Sequence, residues 1–229
     1  MGSNNFDIVV IGSGVIGHSI AFRLKQDDPQ LKIAVLGDPV NSLQASRAAA
    51  GMLAPFCECD KADRFFKFCR ESLDKFPQFL QELASVSEVS VHFSFKGSLM
   101  PSSSYRETWE ERKSFFAEEN IPHEIWNIDK VRQKAPYLSQ DCGEVMWVGE
   151  GQVNNRQMHD ALMQASKNLG NHVLEANVSG FIRKGSTLAS AVTDSGNING
   201  GQFVLASGSW SSQLARVLEV SIPMKPIKG

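Results

Sequence analysis

FDIVVIGSGVIG, residues 6–17, is an apolar, β-branched run that ends abruptly in a glycine-rich turn. A continuous apolar strand of this kind is buried on both faces, as strands of parallel sheets are. His18 to Gln26 follows with Ile20, Ala21 and Leu24 at helical spacing, and Asp27-Asp28-Pro29 closes the helix. Lys32 to Leu36 (KIAVL) reads as a second strand. Strand, turn, helix and strand make one βαβ unit, so the fold class is α/β.

The turn Gly12-Ser13-Gly14-Val15-Ile16-Gly17 is a G-x-G-x-x-G between strand and helix. Gly12 permits the tight turn, Gly14 lets backbone approach a pyrophosphate, and Gly17 lets helix and strand pack closely. Val15 and Ile16 open the helix, whose unpaired N–H groups and partial positive charge suit phosphates. A bare glycine pattern is also met in turns without a ligand; its place after a strand and before a helix favours a dinucleotide site. The partner is an acidic residue gripping a ribose hydroxyl. Asp38 lies 21 residues after Gly17, near the expected interval of about 20. Asp38-Pro39 can equally open a turn. A carboxylate at this point argues against NADP, while the glycines leave FAD and NAD open.

Outward from this unit, Ala45 to Pro55 is rich in small residues without an amphipathic stripe. Asp60 to Leu83 reads as a helix with Phe65, Cys69, Leu73, Phe76, Leu80 and Leu83 as its packing face, kinked or interrupted at Pro77. Val86 to Met100 alternates as a strand, Tyr105 to Asn120 is a charged surface helix, and Asp129 to Lys134 is a short helix. Glu144 to Val148 is a strand. Asn155 to Leu169 is a helix with Gly170 at its stop position. From His172 to Ala206 strands are broken at Gly185, Ser195-Gly196-Asn197 and Gly200-Gly201.

A net charge of -2 gives no electrostatic reason to expect nucleic acid or an anionic membrane. Apolar runs such as Ile8 to Ile11 are too short for a membrane span. Met1 to Asp7 lacks the basic and apolar pattern of a secretion signal, and Phe6 spoils a myristoylation pattern. Cys57-x-Cys59 is too tight for a zinc pair, and His18, His92, His123, His159 and His172 lack metal spacing, so no metal is expected. Each histidine reads as a surface or packing residue. Free thiols suit a cytoplasmic protein.

Beyond the glycines, Ser46-Arg47-Ala48-Ala49-Ala50-Gly51-Met52-Leu53 resembles the segment that runs along the flavin in the glycine oxidase and D-amino-acid oxidase (DAO) family of FAD-dependent oxidoreductases. Small residues there let backbone lie against a flat ring system. Cys57 to Phe66 resembles the family's acidic stretch before a long helix, and Gly151-Gln152-Val153-Asn154 its return to the cofactor domain. Val178 matches an adenine contact. Val204 to Ser211 resembles the strand and turn ending in Ala-x-Gly-x-Trp beside FAD, and Pro223 to Gly229 a strand continuing into the second half. The family's glutamate after the second strand is replaced by Leu36-Gly37-Asp38, which moves the ribose contact on by one residue.

The resemblance implies a Rossmann-like FAD-binding domain of the glutathione-reductase type, over 1–84 and 151–215, with part of an α+β substrate domain over 85–150 and 216–229. It implies FAD contacts at Gly12, Gly14, Val15, Ile16, Gly17, Asp38, Ser46, Arg47, Ala49, Ala50, Gly51, Met52, Val178, Ala206, Ser207, Gly208 and Trp210, with Met52 facing the substrate. The expected activity is oxidation of glycine, sarcosine or a D-amino acid by hydride transfer to flavin N5, giving an imine, then an oxo acid and ammonia, with oxygen reduced to hydrogen peroxide. The family's carboxylate-binding arginine and tyrosine fall beyond Gly229, so the catalytic residues are unknown. A C-terminal segment or second subunit, and an oligomer, are expected. The alternatives are an FAD-dependent amino-acid dehydrogenase with a quinone acceptor and a non-catalytic flavin-binding subunit. A plain NAD enzyme leaves the Ser46 to Leu53 match unexplained.

Overall fold

The computed structural model describes residues 5–38 and 45–224. In chain order the first elements are β1 (Asn5–Ile11), α1 (Val15–Asp27), β2 (Ile33–Leu36), the single turn α2 (Ala45–Ala48), β3 (Met52–Leu53), α3 (Pro55–Glu58) and α4 (Arg64–Ala84). Next come β4 (Phe93–Ser94), β5 (Ser98–Pro101), α5 (Trp109–Glu118), β6 (His123–Trp126), α6 (Ile128–Lys134), β7 (Val145–Val148) and β8 (Gly151–Val153). The rest comprises α7 (Asn155–Asn168), β9 (His172–Leu174), β10 (Val178–Lys184), β11 (Thr187–Thr193), β12 (Gly196–Leu205) and α8 (Ser211–Val217).

The chain forms two compact units. The first comprises residues 1–49, 82–91 and 155–229, and the second 50–81 and 92–154. Residues 50–81 therefore group with 92–154, and the stretch after 215 groups with the sheet of the first unit.

The first unit is built on a six-stranded sheet of order β10-β11-β12-β1-β2-β9. β12, β1, β2 and β9 are parallel, while β10, β11 and β12 form an antiparallel meander. Alternation along β1 separates its two faces. Ile8 and Val10 pack with Ala21, Ile33 and Val35, whereas Val9 and Ile11 pack with Ala34, Leu36, Ala191 and Ile198. Covering both faces is what the uninterrupted apolar run requires, and the expected α/β, Rossmann-like fold is present. Gly170 ends α7 with φ +80°, as its stop position demands.

Gly200-Gly201 does not break a strand, because β12 runs through it. A Cβ on Gly200 would lie 2.7 Å from Val9 Cγ2, and one on Gly201 3.0 Å from the Asp7 carbonyl. These glycines admit β1 alongside; they mark close approach of strands and not a turn.

The second unit holds two three-stranded antiparallel sheets, β3-β8-β4 and β5-β7-β6. The strand expected over 86–100, ending near Gly97, is present only as the short β4 and β5, and they part at Gly97 (φ +90°), where the Trp147 indole leaves no room for a Cβ. α5 is less of a surface helix than its charges suggest, since Trp109 and Phe116 are buried in the core with Phe56, Phe66, Leu73 and Met146. α4 runs through Pro77 without a break. Burial of Leu73 and Leu83 on either side outweighs a local penalty of about 3 kcal/mol. Its packing face is the expected one from Cys69 to Leu83, but at its start Phe66 is buried in place of Phe65, which is 65% exposed.

Glu150 organises this unit and was not singled out in the sequence. It is 1% exposed, and its Oε1 accepts hydrogen bonds from the Phe56 and Cys57 N–H groups at 2.6 and 2.9 Å. These N–H groups open α3 and have no intrahelical partner. Burial and the Glu150 carboxylate hold the Cys57 thiol far above its usual range, so this cysteine is a poor nucleophile. Replacing Glu150 by Ala strands two N–H groups and is expected to lower stability by about 3 kcal/mol. Glu150→Gln, which retains an acceptor oxygen, loses less. Urea unfolding of the two variants checks the order.

Candidate functional site

The site begins with strand register. Ile11 pairs with Leu205 on one side and Leu36 on the other, and Leu36 pairs with Leu174. Four parallel strands thus end level, and the turns after them meet at the carboxyl edge of the sheet. This is where open α/β sheets bind ligands. Residues 12–17, 37–38 and 206–210, remote in sequence, come together there.

Each glycine of the turn has a measurable reason. Gly12 has φ +123°, and a Cβ on it would stand 2.2 Å from the Ala206 carbonyl oxygen. A Cβ on Gly17 would lie 1.9 Å from the Gly12 carbonyl oxygen, and one on Gly14 2.9 Å from Ser46 Oγ. The Gly12 N–H donates to the Leu36 carbonyl at 2.8 Å, and the Ala206 N–H to the Ile11 carbonyl at 2.8 Å. A flat backbone surface with no room for side chains, half-buried at Gly14 and open at Ile16, leads into the thirteen-residue helix α1. Such a surface fits the close backbone approach that a pyrophosphate needs, although the first N–H of the helix, that of Val15, is taken by Ser46 Oγ.

Gly37, absent from the expected set, is equally constrained. It has φ +151°, and a Cβ there would meet Ser13 Oγ at 2.6 Å and Ser13 N at 2.9 Å. The second strand must give way to glycine at this point, so the acidic side chain follows at Asp38. Its sequence signal was the Gly37 that separates the strand from the aspartate.

Ser46 and Arg47 lie on the short turn α2. Ser46 Oγ accepts from the Val15 N–H at 3.0 Å, and its carbonyl accepts from Asn155 Nδ2 at 2.8 Å. Arg47 Nη1 donates to Asp160 Oδ1 at 2.6 Å and approaches His159 Nδ1 at 3.3 Å. The Ala206 to Trp210 segment follows β12 into a short 3-10 turn, with Gly208 at φ +57°, Ser207 Oγ 3.1 Å from Ser211 Oγ and Trp210 half exposed. Val178, half-buried, starts β10 beside the cluster of Val9 and Leu36. Ala49 ends the first unit and is exposed.

Ala50, Gly51 and Met52 belong to the second unit. The Val153 N–H donates to the Gly51 carbonyl at 2.8 Å, and Gly51 takes φ +75°. Met52 pairs with Gln152 and is 58% exposed, and it lines an apolar groove with Leu53, Phe65, Phe68 and Cys69. Phe65 thus faces this groove, not the packed core assigned to it from its spacing.

Two histidines read as surface or packing residues are fully buried. His18 Nδ1 lies 3.0 Å from Ser166 Oγ, and His159 Nε2 2.8 Å from the Ser13 carbonyl oxygen. Their rings meet edge to face at 5.7 Å. Among the described residues no helix is long and apolar enough to cross a membrane, and no group of three His, Cys, Asp or Glu could hold a metal.

A family model described as FAD dependent oxidoreductase (DAO) matches residues 7–229. The bifunctional protein ThiO/ThiG of Synechocystis is 28% identical over 232 residues, covering 97% of this chain and 32% of that protein. Glycine oxidase of Bacillus subtilis is 26% identical over 227 residues, covering 98% of this chain and 60% of that protein. Among solved structures, glycine oxidase from Geobacillus kaustophilus superposes with a TM-score of 0.87 at 23% identity, covering 95% of this chain and 59% of that one. Glycine oxidase from Bacillus cereus gives 0.81 at 26% identity, with 92% and 57% covered. The chain thus spans between about a third and three-fifths of the length of these relatives.

Gly17→Ala forces a methyl group into the Gly12 carbonyl and is expected to abolish binding of any dinucleotide, read by equilibrium dialysis. A second expectation concerns pH. Burial, then His159 and Lys167, push His18 down from 6.5 to about 4. Between these values the unfolded chain binds a proton that the folded chain refuses. Stability is therefore complete above pH 6.5 and falls as the pH drops toward 4, by about 3 kcal/mol at most. Urea midpoints measured across this window test it, and His18→Gln flattens the slope.

Proposed function

Because the chain belongs to the DAO family of FAD dependent oxidoreductases, we propose that its glycine-lined sheet edge holds the FAD pyrophosphate and that the protein oxidises a small amino acid. The carrying observation is the surface of Gly12, Gly14 and Gly17, where added Cβ atoms would meet Ala206, Ser46 and the Gly12 carbonyl. Asp38 takes a ribose hydroxyl. Val178 borders the adenine, and the turn from Ala206 to Trp210 flanks the cofactor. Ser46, held on the Val15 N–H, carries the chain from the phosphates past Arg47, which is tied to Asp160, into Ala49, Ala50 and Gly51, whose lack of bulk leaves backbone to meet the ring system.

FAD, when bound, supplies the acceptor for a hydride leaving the substrate α-carbon. The residues of this chain position and exclude. Met52, exposed at the head of an apolar groove with Phe65 and Phe68, packs on the substrate side and keeps water from the reacting carbon. No side-chain base is needed when the amine binds neutral: the nitrogen lone pair forms the C=N bond as the hydride departs. Water then hydrolyses the imine to an oxo acid and ammonia, and oxygen takes the electrons to give hydrogen peroxide. The family resemblance to glycine oxidases supports glycine, sarcosine or a D-amino acid as substrate class.

A dehydrogenase passing electrons to a quinone is a second reading. L-proline dehydrogenase from P. horikoshii shares this fold with a TM-score of 0.70 over 94% of the chain. The decisive measurement is the absorption spectrum of the purified protein under anaerobic addition of glycine, sarcosine and D-alanine. A flavin spectrum bleached by one of them is expected. A flavin that no amino acid reduces leaves a binding subunit, and a colourless protein that takes up no FAD defeats the proposal. Readmitted oxygen restores the spectrum rapidly in an oxidase and slowly in a dehydrogenase.

A further inference from the structure

We infer that His159 is a positioning residue for the cofactor turn, setting the Ser13–Gly14 peptide so that its N–H group faces the bound pyrophosphate. This assignment rests on reading the glycine surface as the FAD site. His159 sits on α7 with its ring fully buried, and its Nε2 is 2.8 Å from the Ser13 carbonyl oxygen. A carbonyl only accepts, so Nε2 carries the proton. The other ring nitrogen agrees: Arg47 Nη1, which only donates, lies 3.3 Å from Nδ1, while Asp160 Oδ1 stands off at 3.8 Å. Arg47 is itself fixed by its 2.6 Å bond to Asp160. The guanidinium thus selects the tautomer in which His159 donates to the turn.

The consequence follows from peptide geometry. In a trans peptide the C=O and the next N–H point in opposite directions. Drawing the Ser13 carbonyl toward α7 turns the Gly14 N–H away from α7, and it removes a carbonyl dipole that would repel phosphate oxygens. Without this anchor the peptide loses a restraint that Gly14, having no Cβ, does not replace. Packing alone asks nothing of either ring nitrogen. Here both are used, and the partners come from the two segments, 12–17 and 46–47, that the cofactor reading invokes.

The test titrates the full-length apoprotein with FAD, by flavin fluorescence, and with ADP by competition. His159→Leu is expected to weaken both about tenfold, the weight of one oriented hydrogen bond. His159→Gln, whose amide reaches as far as Nε2, restores affinity, whereas His159→Asn, whose amide ends at the height of Nδ1, does not. Circular dichroism and urea transitions of the unliganded variants report folding; should the Leu variant fail to fold, the Gln and Asn pair decides. Wild-type affinity in the Leu variant, or equal affinities in Gln and Asn, overturns the assignment while leaving the FAD site standing. Wild-type protein that binds neither FAD nor ADP removes the site and the assignment together.

Discussion

The close approach of Gly12 to the Ala206 carbonyl, which leaves no room for a Cβ, is the constraint on which the first unit depends. It exists only because β1 and β12 run parallel in a register that ends them together. Any side chain at Gly12 would push the two strand ends apart. It would also break the bonds that the Gly12 N–H donates to Leu36 and the Ala206 N–H donates to Ile11. The same crowding recurs one strand over, where Gly37 meets Ser13, and one turn along, where Gly17 meets Gly12. Three glycines therefore serve a single purpose: they let backbone meet backbone along a sheet edge, leaving a smooth surface above it.

Much of this was legible in the sequence because it rests on local rules. A two-faced strand needs an unbroken apolar run, and a tight turn into a helix needs glycine at fixed offsets. The helices read over 18–26 and 155–169 and the strand read over 144–148 lie at 15–27, 155–168 and 145–148. Where the reading failed, nonlocal packing was responsible. Gly200-Gly201 looks like a turn until β1 is placed against it. Phe65 and Phe66 each stand three or four residues before Cys69, so spacing allows either to start the stripe, and only the surrounding core decides that Phe66 is the one that is buried.

The site shows the same division. The glycines of the turn could be placed from their intervals, but the groups that hold the turn from behind could not. His159 and Asp160 come from a helix more than a hundred residues away, and neither belongs to a motif. Glu150 is similar: a lone carboxylate between Gly149 and Gly151 gives no hint that two N–H groups of α3 converge on it. Second-layer residues are invisible in sequence because their role is defined by a partner and not by their neighbours.

The parallel pairing of β1 with β12 also has a consequence in time. Asn5 lies opposite Asn199, so the first strand made must wait for about 190 residues to be synthesised before its neighbour exists. At about 5–20 residues per second this delay is on the order of 10–40 s. Until then one ladder of backbone groups on β1 stays unpaired. The glycine-lined sheet edge is therefore complete only once β12 has been made.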